Sequence, residues 1–257
     1  MGGDMLDFSI RKAGEKGLVV DFGNLIDPGV NGCVHRLARV IATDMPDDVI
    51  EVIPTYRSLM VYFDPLQISR ESVSDKIRLY LDNTAVSSSA DDRATVVSIP
   101  VCYGAEFGPD LDFVARHNKL SNREVIDIHT SEPYLVYMLG FTPGFPYLGG
   151  MSERIAAPRL AQPRVAIPAG SVGIAGSQTG IYPIESPGGW QLIGRTPLRV
   201  FNPASANPFL FAAGNYLRFR AIDAAAFEDI RRQVETGGYT PETGTIERGG
   251  PQSVHGI

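Results

Sequence analysis

Gly17–Gly23 (GLVVDFG) is a β-branched run closed by glycine, and the apolar positions that follow it, Val34, Leu37, Ala38 and Ile41, fall on one helical face. Asn31 stands ahead of that face as an N-cap, so the pattern predicts a strand and then an amphipathic helix. Glu51–Pro54 and Leu59–Phe63 read as two further strands around a turn at Tyr56–Ser58. Val73, Ile77, Tyr80 and Leu81 mark a second helix that faces the same sheet. The order strand, helix, strand, strand, helix predicts a small α+β sandwich domain over residues 1–88.

Thr84–Arg93 (TAVSSSADDR) carries few large apolar residues and reads as a linker. Beyond it, Val96–Val101 predicts a strand, Leu111, Val114 and Ala115 a short helix begun near Pro109, and Ser121 with Glu124 has the spacing of a capping box. From Tyr134 onward, short apolar runs are punctuated by Gly and Pro, the texture of a closed or nearly closed β-barrel. Asp223 caps a last helix in which Ala226, Phe227, Ile230 and Val234 share a face, and Gly237 and Gly238 stop it. The second domain is placed at residues 95–236. The Gly- and Pro-bearing remainder, 237–257, reads as a flexible tail. The fold class for the whole chain is α+β.

Charge narrows the partners. A net charge of -6 over 257 residues leaves no basic excess to neutralise phosphates, which excludes nucleic acid as a main partner. The two cysteines, Cys33 and Cys102, lie far apart without CxxC spacing, so neither a metal site nor a disulfide framework is expected. Residues 133–152 and 165–184 are free of charge, yet prolines and glycines interrupt both, and they predict buried strands and tight turns, not membrane spans. Asp4 and Asp7 precede any apolar run, so no export signal is read and a cytoplasmic protein is expected.

The chemistry-bearing residues gather in two stretches. His129–Gly150 (HTSEPYLVYMLGFTPGFPYLGG) places a histidine at the expected entrance of a strand that ends among Tyr137, Phe141, Phe145 and Tyr147. Aromatics on Pro and Gly turns lose little rotamer entropy on binding and make an apolar wall for a ligand or a partner side chain. His129 is the candidate for proton transfer near neutral pH, with a structural hydrogen-bonding role as the alternative. Ile167–Trp190 (IPAGSVGIAGSQTGIYPIESPGGW) is rich in glycine, which suits tight hairpins. Within it Ala169 breaks the GxSxG pattern of a serine hydrolase, and no Walker or dinucleotide motif is present. Gln178, Tyr182, Glu185, Gln191 and Arg195 are polar groups on or beside strands that could orient an amide or a carboxylate, and Trp190 either fills the core or lines the same groove.

These two stretches, with PRVAIPAGSVGIAGSQTGIYPIESPGGWQLIGRTP read as one motif, resemble the family of the 5-oxoprolinase B subunit, also described as sporulation kinase inhibitor and as allophanate hydrolase subunit 1. The first domain resembles that family more weakly through GLVVDFG and VIPTYRSLMVYFDP. The resemblance implies a cyclophilin-like second domain and a stand-alone protein that works with a homologous C subunit and a separate A subunit of 5-oxoprolinase. It implies ATP-dependent opening of 5-oxo-L-proline to L-glutamate, with ATP held somewhere in the complex. The alternatives it carries are a regulatory protein that binds a sensor histidine kinase and a component of a urea or allophanate carboxylase system. Carried onto this chain, it makes His129 the catalytic candidate. It makes Tyr137, Phe141, Phe145, Tyr147, Gln178, Tyr182, Trp190 and Arg195 the substrate or partner groove, with Tyr147, Gln178 and Arg195 orienting substrate.

Overall fold

The computed structural model describes residues 7–82 and 93–247. Of the expected linker Thr84–Arg93, residues 84–92 lie outside the described residues and Arg93 opens a strand, and the end of the expected tail, beyond Glu247, lies outside them too. The chain divides into two compact units, one up to Asp92 and one from Arg93.

In the first unit the strands β1 (Ser9–Lys12), β2 (Gly17–Asp21), β3 (Val49–Pro54) and β4 (Ser58–Phe63) form an antiparallel sheet in the order β1-β2-β4-β3. Burial alternates strictly along β4, so Leu59, Val61 and Phe63 face inward. With Leu18 and Val20 they meet Val34, Leu37 and Ile41 of α1 (Pro28–Asp44) and Val73 and Ile77 of α2 (Arg70–Asp82). The helix-bearing face carries the periodicity read from sequence, but its start does not. Asp27 is the cap, its Oδ1 accepting from the Gly29 and Val30 N–H groups at 2.7 and 3.1 Å, and Pro28 takes the first turn, where a missing N–H costs nothing. Asn31, expected as the cap, is instead buried inside α1, and its Nδ2 donates to the Thr55 and Tyr56 carbonyls of the β3–β4 turn. Strand β1, short and partly exposed, has no counterpart in the apolar pattern.

The second unit is built on β5 (Arg93–Tyr103), buried over most of its length. β6 (Tyr134–Gly140), β7 (Phe145–Gly149), β9 (Ser171–Ala175), β10 (Gln178–Ile181), β12 (Gln191–Arg195) and β13 (Tyr216–Ile222) join it in the order β10-β9-β12-β5-β13-β6-β7. The two ends of this sheet approach each other: a Cβ on Gly180 of β10 would lie 3.4 Å from the Pro146 carbonyl of β7. The sheet is a nearly closed barrel whose interior holds Ile99, Val101, Val172, Ile174, Ile193 and Phe219. Helices α3 (Leu111–His117), α4 (Asn122–Ser131) and α5 (Ala224–Glu235) accompany it, α5 capped by Asp223 and α4 by the Ser121–Glu124 capping box. A separate ribbon pairs β8 (Arg164–Ile167) with β11 (Ser186–Gly188).

Two expectations are corrected here. Thr243–Glu247, within the stretch read as a flexible tail, is strand β14, antiparallel to β5, with Ile246 1% exposed; its β-branched residues supply a ladder and an apolar contact that the glycine content had obscured. His129 does not enter a strand. The helix begun at Ser121 continues to Ser131, so the β-branched run Val125, Ile126, Ile128 is helical and His129 sits in its last turn. Among the described residues no helix is long and apolar enough to cross a membrane.

Candidate functional site

Strands β7 and β10, the ribbon, and the approach to β12 enclose a groove of about 310 Å³. Its floor is a set of rings in edge-to-face contact. Phe145 meets Trp190 at 5.6 Å and 89°, Tyr182 at 5.7 Å and 80°, and Tyr147 at 5.3 Å and 66°. Ile167, Ala175 and Leu192 pack beneath them as a core separate from the barrel interior. Glycine makes room where the rings pass closest to backbone: a Cβ on Gly180 would meet Phe145 at 3.1 Å and Trp190 at 3.2 Å. At the mouth, Phe141 is 70% exposed and takes a left-handed φ of 59° at the tip of the β6–β7 hairpin, a conformation a bulky residue adopts only at a cost.

Six of the residues named from sequence are therefore brought together: Phe141, Phe145, Tyr147, Gln178, Tyr182 and Trp190. Three are not. Tyr137 is buried with its ring across Gly149, where a Cβ would lie 2.1 Å from Cε2. Arg195 lies over the Phe107 ring, 5.9 Å from its centroid, and does not line the groove. His129 is inside the barrel. The groove read from sequence did not include Arg159, Pro187, Gly188 or Gly189, which complete the lining.

Those missed segments are held by specific bonds. Asp110 Oδ1 pairs with Arg164 of β8 at 2.8 Å while its Oδ2 accepts from the Leu192 N–H at 2.7 Å, tying the ribbon to β12. Glycine is the one residue type that fits at position 188 beside Tyr182: a Cβ on Gly188 would lie 2.4 Å from the Tyr182 hydroxyl and 2.8 Å from Ile167 Cδ1. Burial pushes the Tyr182 hydroxyl up, opposed by the Trp190 backbone N–H from which it accepts and by Arg159 and Arg164. Gly188→Ala is expected to cost about 1–3 kcal/mol through this overlap, read by urea unfolding followed by tryptophan fluorescence; an unchanged midpoint would show that the ribbon yields freely.

His129 is fully enclosed, with Phe219 stacked on it at 4.4 Å. Thr179 Oγ1 donates its proton to the Gly173 carbonyl at 3.1 Å, so the 2.8 Å contact between Thr179 Oγ1 and His129 Nε2 requires Nε2 to be the donor. Nδ1 then accepts from the Tyr103 hydroxyl at 2.8 Å. Both ring nitrogens are satisfied by a neutral imidazole, and burial lowers its pKa to about 3. The network ties α4 to β10 from inside the barrel, at the residue next to Gln178. His129 thus does not line the groove; its ring is held between Tyr103 and Thr179.

Residues 8–211 match the family described as carboxyltransferase domain, subdomain C and D. The chain is 49% identical over 236 residues to the 5-oxoprolinase B subunit of Bacillus subtilis, covering 88% of this chain and 98% of that one. It is 40% identical over 207 residues to the 5-oxoprolinase B subunit of Escherichia coli O157:H7, covering 80% of this chain and 92% of that one. A crystal structure of the K. lactis urea amidolyase superposes with a TM-score of 0.76 over 96% of this chain and 17% of that one; at 20% identity it speaks for the fold alone. On these matches and on the paired α+β and barrel units, the chain belongs to the carboxyltransferase subdomain C and D family and, within it, to the group of 5-oxoprolinase B subunits.

Proposed function

We propose that this chain is the B subunit of an ATP-dependent 5-oxoprolinase, a cytoplasmic assembly in which the A, B and C subunits together open 5-oxo-L-proline to L-glutamate. The observation that carries the reading is the 49% identity that spans nearly the whole of the Bacillus subtilis protein. The groove supports a binding share of the work. Its lining holds aromatic rings, a carboxamide and one guanidinium, and the imidazole that sequence suggested as a base is sealed away at the Tyr103–His129–Thr179 network. Such a lining binds and orients a small polar ring and excludes water around it.

A triphosphate does not fit it: one guanidinium would face several negative charges, and among the described lining residues none belongs to a helix N-terminus that could offer backbone N–H groups. ATP, whose hydrolysis would activate an otherwise inert lactam, is accordingly given no place in this groove. Phe141 favours a second reading of the groove mouth, as a docking point for a partner, whether the C subunit or a helix of a sensor histidine kinase.

Mixing the purified chain with the A and C subunits from the same genome, ATP and 5-oxo-L-proline is expected to release glutamate, and the chain alone is expected to release none. A complete mixture that assembles and yet releases no glutamate would overturn the enzyme reading and leave the docking one.

A further inference from the structure

Arg159 lies on an irregular segment between Ile155 and β8, where an exposed arginine would ordinarily be free to wander. Here the backbone around it is fastened on both sides. Ala157 and Gly176 exchange two backbone hydrogen bonds, at 3.2 and 2.7 Å. The buried Gln191 side chain donates Nε2 to the Pro158 carbonyl at 2.8 Å. The Leu160 N–H donates to the Gly189 carbonyl at 2.7 Å. Arg159 is thus presented by a held stretch of chain, and among the described residues it is the one charged side chain in the groove lining.

The rest of the lining fits one kind of ligand. Gln178 contributes a carboxamide, the same pairing of N–H donor and C=O acceptor that a small lactam carries on one edge, and so a polar group of matching kind in the lining. Phe145, Tyr147, Tyr182 and Trp190 present ring surfaces to a flat five-membered ring. Among the described lining residues none is a carboxylate, so the site suits an anion whose nitrogen carries no charge, as in an N-acylated cyclic amino acid and not in a free amino acid.

We propose that this groove takes the cyclic amide itself, with Arg159 as the anchor for its carboxylate and Gln178 meeting the lactam edge. The assignment rests on the 5-oxoprolinase reading and moves the orienting cation from Arg195, which lies over Phe107, to Arg159. Arg159 is a binding residue, and the charge it supplies selects the carboxylated lactam over the bare one.

The test combines two readouts on the full-length chain. In the mixture with the A and C subunits, Arg159→Gln is expected to raise KM for 5-oxo-L-proline about tenfold or more, by a larger factor than it lowers kcat, and Arg159→Lys to recover part of that loss. For the chain alone, the single tryptophan, Trp190, lines the groove. Its emission is expected to shift on titration with 5-oxo-L-proline, far less with 2-pyrrolidinone, and not with either in Arg159→Gln. An active mixture whose KM is indifferent to Arg159→Gln would overturn the anchor and leave the enzyme reading standing. If the wild-type mixture is inactive, the enzyme reading fails and the fluorescence decides: an Arg159-dependent shift upholds the site, and its absence overturns it.

Discussion

Between pH 6.5 and pH 5 the barrel unit is expected to lose about 2 kcal/mol of stability that a His129→Gln variant does not lose. The cause is the enclosure of His129, which burial holds neutral down to a pKa of about 3. In the unfolded chain the imidazole titrates at its usual value near 6.5. Below that value the unfolded state binds a proton that the folded state refuses. The folded pKa is depressed, so the contribution is complete above pH 6.5 and is lost as pH falls toward 3, on the order of 4 kcal/mol over the whole window. Glutamine can offer one donor and one acceptor without titrating, which separates the proton linkage from the packing. Urea unfolding at pH 7, 6 and 5, followed through Trp190, gives the comparison. Parallel curves for wild type and variant would show that His129 is protonated in the fold and that the network is drawn wrongly.

Trp190→Ala is expected to destabilise the barrel unit by about 3–5 kcal/mol and to abolish ligand binding in the groove. The indole is 8% exposed and makes edge-to-face contacts with Phe145 and with Tyr182, the latter at 6.3 Å and 80°. Removing it leaves a void beside Leu192 and Phe145, where Gly180 lies against the indole ring and offers no side chain of its own to fill the space. Trp190→Phe keeps one ring and is expected to cost less than half as much. Far-UV circular dichroism during urea unfolding reports both variants, since the fluorophore is gone. A loss below about 1 kcal/mol for the alanine variant would mean that the ring cluster is looser than its geometry implies.

The elements that the apolar pattern made legible are those whose periodicity and caps agree. Val34, Leu37 and Ile41 in α1, the Ser121–Glu124 box of α4 and Asp223 before α5 all stand where sequence reasoning put them. The errors fall where two local signals compete. Asp27-Pro28 and Asn31 both offer a cap, and proline at the first helical position settles it in favour of Asp27, which frees Asn31 to hold the β3–β4 turn. The run Val125–Ile128 carries strand propensity yet remains helical, because its capping box and the ring contacts of His129 outweigh that preference. The aromatic half of the groove was readable because rings held on Pro and Gly turns stand out. Arg159 was not, since residues 156–163 have no periodicity and their fixation comes from Gln191 and Gly189, residues remote in the chain. Tyr137 shares a hairpin with groove residues but faces Gly149, a distinction set by a register shift in the β6–β7 pairing that no spacing rule encodes.

Strand β5 opens the second unit, yet every strand that pairs with it lies far downstream: β12 from Gln191, β13 from Tyr216 and β14 from Thr243. During synthesis its apolar residues wait, unpaired, until β12 and then β13 have left the ribosome. The first unit, whose sheet uses only strands between Ser9 and Phe63, has no such delay. The nascent protein is therefore most exposed to aggregation and to chaperone capture at Ala94–Val101, and removing the segment from Thr243 onward would lengthen that exposure by denying β5 its last partner.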